Sequence, residues 1–383
     1  MAVALTPEER RLFEDARDYA LENISPHAAA WEASRKLPSE AVRHAAENGY
    51  CGIGLTREVG GGGLNFLECA LVYEGLAHGC GGFAFFLQLH NNITYDIETY
   101  YELSNEVRRL LPDMAAGRKL TAFALTEECG GSDPSMNQSS AQLRQDGYHI
   151  FGEKVWIANA ADADHFITIV RNGSAKNMLI FLVDRGTPGF NVGDNRVRIG
   201  GNVMSCADLR FDDCVVPETR LVSTDGYKEA LRAIDVARIF VPAIAIGIAQ
   251  RSIDLVVEYL GGRSTFGRPI ISNQGVQWTL AELSAQVEAG RWMVYRTASL
   301  MDAGGPVSFQ AAQNKLYATN LAMKVTTECA QLFGASGLEI SSAIARNMAV
   351  AKMLQLVDGT SEIQKIVIGR TLERKAAKNG QRQ

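Results

Sequence analysis

Few side chains in this sequence combine a reactive group with a setting that would use it, and one of them lies near the carboxyl end. In "QLVDGTSEIQ", Asp358 precedes Gly359 and Thr360 at the opening of a helical pattern. A carboxylate there is either a surface turn residue, of the kind Asp and Gly favour together, or a base held at a helix entrance. Arg263 stands in "RSTFGRPI". A guanidinium fork binds phosphate oxygens through two hydrogen bonds, whereas an isolated arginine at a helix end faces solvent. Trp156 in "EKVWIANA" either fills a core or covers a flat ligand. In "ALTEECGGSD" a strand runs into a glycine-bearing turn. It is either a plain hairpin or a surface that offers backbone N–H groups and the Thr126 and Ser132 hydroxyls to a ligand. Asp235 and Arg238 in "IDVARIF" form either a polar helix face or a ligand-contacting pair.

Other chemistries are excluded by composition. The formal charge of −5 arises from 38 basic and 43 acidic side chains spread along the chain, without the basic block that nucleic acids require. Seven cysteines form no CxxC pair, and six histidines show no ligand spacing, so neither a disulfide framework nor a metal site is expected. The amino terminus becomes charged too early for a signal peptide, and no apolar run reaches the roughly 20 residues of a membrane span. A cytoplasmic protein with no membrane association is expected.

Several elements must position these residues, and 383 residues are enough for two or three packed units. Thr6 and Glu9 make a capping box with Pro7 at the first helical position, and helical periodicity then runs to about residue 118. From 119 to 222 short β-rich runs alternate with Gly, Pro, Asn and Asp turns. From 223 onward four long helical patterns return and predict a bundle. The expected fold is mostly α with a central β domain: an N-terminal helical domain (1–118), an antiparallel, barrel-like middle domain (119–222) and a C-terminal four-helix bundle (223–383).

"ALTEECGGSD", "EKVWIANA", "RSTFGRPI", "QLFGASGL" and "DGTSEIQ" occur in the order and spacing of the acyl-CoA dehydrogenase family, and the resemblance covers essentially the whole chain. It implies FAD as cofactor, an acyl-CoA or acyl-carrier-protein thioester as substrate, an electron-transferring flavoprotein as partner, and a homotetramer. Phe123, Leu125, Thr126 and Ser132 would line the flavin and the pantetheine path, Trp156 would cover the ring, and Ala158 stands where a flavin-binding threonine is usual. Arg263, Phe266 and Gln274 match positions that contact the flavin from a neighbouring subunit, with Gln331, Gly334 and Ala335 as the other half of that site. Thr360 and Glu362 complete the cofactor positions. Asp235, Arg238, Gly359 and Ser132 are the implied substrate contacts.

In that family the carboxylate before "GTSEIQ" removes the α proton of the thioester while a hydride leaves the β carbon for the flavin. Most members place glutamate there, and Asp358 is one methylene shorter. The alternative base of some branches, a glutamate before the helix arginine, is absent, because Ala237 precedes Arg238. Asp96 follows a helix that lines the acyl pocket in the family and is a candidate accessory acid. The shorter base points to a cyclic or branched acyl group. Rival readings are a reductase or eliminase on the same fold, and an inactive supporting subunit.

Overall fold

A computed structural model describes residues 5–173 and 177–380. The Thr6 hydroxyl accepts from the Glu9 N–H at 3.1 Å and the Glu9 carboxylate accepts from the Thr6 N–H at 2.7 Å, so α1 (Pro7–Asn23) begins where the capping box places it. Next come α2 (Ser25–Ser34), α3 (Ser39–Glu47) and α4 (Phe66–Ala77), the last opened by a second capping box between Asn65 and Glu68. α5 (Gly81–Tyr100) and two short helices, α6 (Asn105–Arg108) and α7 (Leu111–Ala115), lead to the sheet.

The strands are β1 (Thr121–Ala124), β2 (Ser140–Arg144), β3 (Gly147–Ala158), β4 (His165–Asn172), β5 (Met178–Asp184), β6 (Phe190–Val192), β7 (Cys206–Val216) and β8 (Leu221–Ser223). They form one sheet in the order β6-β7-β3-β2-β4-β5-β8, with β1 also beside β4. Pairing is antiparallel wherever short turns join sequence neighbours. β1 and β2, which reach β4 over longer connections, pair with it in parallel. The sheet encloses its own apolar core, including Phe166, Phe181, Phe190 and Phe211.

α8 (Gly226–Gly262) follows, then a two-residue hairpin of β9 (Ser264–Thr265) and β10 (Arg268–Pro269), then α9 (Gln274–Asp302), α10 (Ser308–Phe333), α11 (Ala343–Leu354) and α12 (Ser361–Gly380). α8 is about 55 Å long at 1.5 Å per residue, and it packs against α4, α5, α9, α10 and α11. One apolar core joins Leu71 and Leu76 of α4 and Phe83 and Leu87 of α5 to Ile244 of α8, Val287 of α9 and Ala322 of α10. The two helical sections therefore share an interior. Ile93 and Ile97 of α5 pack instead against Ile167 and Ile180 of the sheet, so α5 is clamped between sheet and bundle. Among the described residues, no helix is long and apolar enough to cross a membrane.

Candidate active site

Asp358 lies in the short link between α11 and α12, and its φ of 51° is left-handed, an uncommon state for a residue with a side chain. Three buried side chains hold it there. The Arg238 Nε donates to the Asp358 carbonyl at 3.1 Å while its Nη1 pairs with Asp235 at 2.8 Å. The Lys315 Nζ, wholly buried on α10, donates to the carbonyls of Gly359 at 2.8 Å and Gln355 at 3.2 Å. Gln364 Nε2 donates to the Gly359 carbonyl at 2.8 Å. Gly359 has φ of 89°, and a Cβ there would stand 2.8 Å from Arg238 Nη2 and 3.0 Å from Gln364 Nε2. Only glycine fits both the backbone and the crowding.

The turn is thus fixed through its carbonyls, which leaves the reactive groups free. Among the described residues, nothing donates to the Asp358 carboxylate, and its backbone N–H meets no acceptor. Burial pushes the carboxyl pKa up, while the Lys315 and Arg238 charges restrain the rise. Burial pushes Lys315 down to about 8, opposed by Asp358. Thr360 follows at the α12 entrance, its hydroxyl accepting from the Ile363 N–H at 3.4 Å. Glu362 is exposed in the first turn, its carboxyl held low by its own backbone N–H and the Thr360 hydroxyl.

A second group gathers on the sheet. Phe123 lies on β1, Leu125 and Thr126 just beyond it, and Trp156 and Ala158 on β3. The Val155 N–H donates to the Thr126 carbonyl at 2.9 Å, which ties the two segments together. Behind them Lys154 and Glu127 form a buried ion pair at 2.7 Å, and Lys154 also donates to the Leu125 carbonyl at 3.2 Å. Burial alone would raise Glu127, but Lys154 and the Gln138 N–H outweigh it and hold the carboxyl low. Glu127 is therefore a structural anion. Trp156 has φ of 60° at an irregularity in the β3–β7 pairing and is 53% exposed, with the Arg196 guanidinium 4.3 Å from its ring. A tryptophan forced outward in a left-handed conformation is not core; it offers a flat apolar face. Phe123, Thr126 and Ala158 are partly exposed beside it, and Ser132 lies exposed in the following loop. These surfaces fit a planar ring system such as a flavin.

The remaining positions lie elsewhere. Arg263, Phe266 and Gln274 are exposed at the α8–α9 junction, and Gln331, Gly334 and Ala335 are exposed at the end of α10. The two sets adjoin: Arg263 Nη1 donates to the Tyr259 hydroxyl, and Tyr259 stacks on Phe333 at 4.2 Å. Arg263 is 25 residues along α8 from Arg238, about 37 Å at helical rise. Asp96 lies within α5 rather than after it, and is buried.

Two residues that hold the turn, Lys315 and Gln364, escaped the sequence reading. Gln364 belongs to the "DGTSEIQ" motif. Lys315 had a weaker signal: it occupies the buried stripe of α10 at four-residue spacing from Ala311 and three from Ala318, where a charge needs a partner.

Family models described as the N-terminal, middle and C-terminal domains of acyl-CoA dehydrogenase match residues 6–118, 122–214 and 224–373. The chain belongs to the acyl-CoA dehydrogenase family. It is an FAD-dependent oxidoreductase. Acryloyl-CoA reductase (NADH) of Anaerotignum propionicum is 35% identical over 378 residues, 97% of this chain and 95% of that one. The structure of butyryl-CoA dehydrogenase from Megasphaera elsdenii superposes with a TM-score of 0.92 at 31% identity, covering 97% of this chain and 100% of that one. A chain from a structure described as the electron transferring flavoprotein of Acidaminococcus fermentans gives 0.93 at 31% identity, covering 97% and 99%.

Proposed function

We propose that the protein converts a saturated acyl-CoA thioester into its α,β-enoyl form, with Asp358 as the base that takes the α proton. The observation that carries this reading is the Asp358 turn, in which carbonyls are anchored by Arg238, Lys315 and Gln364 while the carboxylate and the N–H stay uncommitted. A raised pKa makes the carboxylate a stronger base, and the free N–H can stabilise negative charge gathering on the thioester oxygen. FAD, when bound, supplies the two-electron oxidant that takes the β hydride. Trp156 shields the ring from water, with Phe123, Leu125, Thr126 and Ala158 beside it and Thr360 and Glu362 at the α12 entrance. Asp235 and Arg238 border the thioester path with Ser132 and Gly359, and the Arg238–Asp235 pair fixes the base loop at the same time. A carboxylate one methylene shorter than glutamate suits a cyclic or branched acyl group, whose α carbon stands nearer the loop.

At about 37 Å from Arg238, Arg263 serves a different flavin from the one beside its own Asp358. A second copy of the chain supplies Arg263, Phe266 and Gln274, with Gln331, Gly334 and Ala335 at the same end, which calls for a symmetric oligomer, a homotetramer on family grounds. The units 1–118, 119–222 and 223–383 are its domains. An electron-transferring flavoprotein is the electron acceptor in this reading, in keeping with the Acidaminococcus similarity. The reductase direction is the second reading, because acryloyl-CoA reductase shares 35% of its residues.

Anaerobic mixing with linear, branched and cyclic saturated acyl thioesters tests the proposal. Bleaching of the flavin absorbance by at least one of them, with enoyl product, is the expected result. No bleaching with any thioester, together with oxidation of the reduced enzyme by an enoyl thioester, would replace it with the reductase reading.

A further inference from the structure

Gln88, Asn92 and Asp96 recur every four residues along α5 and so share one face of it. They are 1%, 8% and 2% exposed. Each nevertheless leaves one oxygen without a hydrogen-bond partner: Gln88 Oε1, Asn92 Oδ1 and Asp96 Oδ1. The contacts Asn92 does make are long, 3.4 Å from its Nδ2 to the Ala233 carbonyl and 3.5 Å to Asp96 Oδ2. The same helix pairs its other buried polar groups well. Both ring nitrogens of His90 meet partners, at Thr121 and Met114, and Asn91 bridges Gly52 and Tyr50. Desolvation pushes the Asp96 carboxyl up to about 8 against the opposing Arg232 charge, which favours its protonated form.

The level of this stripe can be read from the crossing of α5 with α8. A Cβ on Gly81 would stand 2.4 Å from Ile248 Cδ1, while Asn92 reaches Ala233 eleven residues later. The helices therefore run antiparallel, and Gln88 falls level with Arg238, the residue that holds the Asp358 carbonyl. Asn92 and Asp96 lie one and two turns further on, so the stripe extends about 12 Å from the level of Arg238. Of the three, Asn92 lines a cavity of about 200 Å³, together with Tyr73, Tyr95, Phe66 and Phe240. A cavity of about 150 Å³ is known to hold benzene, so a six-membered ring fits.

We propose that Gln88, Asn92 and Asp96 form the acyl-recognition surface of this enzyme, and that its substrate is a hydroxylated acyl thioester, the hydroxyls borne on a short or cyclic acyl group. This rests on the dehydrogenase reading above and names its substrate class. Two amide oxygens need donors, and a protonated carboxyl can both give and accept. A hydroxyl can answer any one of the three, because it donates and accepts in one group. A hydrocarbon tail would leave every one of these oxygens buried and unpaired, the situation in which sites discriminate most strongly.

Steady-state kcat/KM of the holoenzyme with cyclohexanecarboxyl-CoA and its 3- and 4-hydroxy derivatives, and with butyryl-CoA and 4-hydroxybutyryl-CoA, tests this. A preference on the order of 100-fold for a hydroxylated member is expected. Asn92→Leu and Gln88→Leu should each collapse that ratio toward one, with bound flavin and thermal unfolding showing that the variants fold. A packing role alone would lower both substrates together and leave the ratio unchanged, which would overturn the inference. Preference for the hydrocarbon, meaning that water fills the stripe, would overturn it as well while leaving the dehydrogenase reading intact. Flavin reduction by none of these thioesters, nor by any other saturated one, would remove both.

Discussion

Replacing Gly359 with alanine probes the base loop where it is tightest. At φ of 89° a side chain adds strain of about 1–2 kcal/mol. The new Cβ would also lie 2.8 Å from Arg238 Nη2 and 3.0 Å from Gln364 Nε2, so both side chains or the turn itself must give way. Arg238 fixes the Asp358 carbonyl and Gln364 fixes that of Gly359, and neither can retreat without loosening the turn. A shift of about 1 Å at a reacting group costs on the order of 100-fold in rate. The variant should therefore show kcat reduced by about two orders of magnitude and stability reduced by about 1–3 kcal/mol. Stopped-flow flavin reduction at saturating thioester and denaturant unfolding measure the two. A protein destabilised by that amount with an undiminished reduction rate would refute the claim that this turn aims the base.

Lys315→Met removes a charge that restrains the Asp358 pKa. The pKa should rise, and the acidic limb of the kcat/KM profile, which follows deprotonation of the base, should move to higher pH. Folding lowers Lys315 from 10.5 to about 8, so between those values the unfolded chain binds the extra proton. Wild-type stability should gain from this group as pH rises across that window, and a pH series of urea unfolding should show the gain missing in the variant. Arg263→Ala alone should lose flavin, and Asp358→Asn alone should keep flavin without turnover. Co-expression of the two should restore activity, because a mixed oligomer contains sites with Asp358 from one chain and Arg263 from the other. No recovery in verified mixed oligomers would refute the shared site.

Local rules made much of this legible from the sequence. The Thr6–Glu9 capping box, the order of helices and strands, and the five motifs depend on neighbouring residues or on short-range periodicity. The exposed Trp156 was legible through its motif, though its left-handed backbone was not. Lys315 and Gln364 were harder, since their value arises only where α10 and α12 bring them against the α11–α12 link. The interior shared by the two helical sections was hidden for a similar reason: periodicity shows which face of α4 or α8 is apolar, and says nothing of what covers it. The parallel pairing of β4 with β1 and β2 is a long-range choice as well. Glu127, one of two adjacent acids in a turn, gave no hint of its burial against Lys154, because that partner lies 27 residues away across the sheet.

Asp358→Asn tests the central claim most directly. It removes the base while an amide of the same shape keeps the turn and its carbonyl contacts. Mixed anaerobically with a thioester that reduces the wild-type flavin, the variant should retain FAD and bind the thioester, yet leave the flavin oxidised. Reduction at the wild-type rate would show that some other group takes the α proton and would contradict the account.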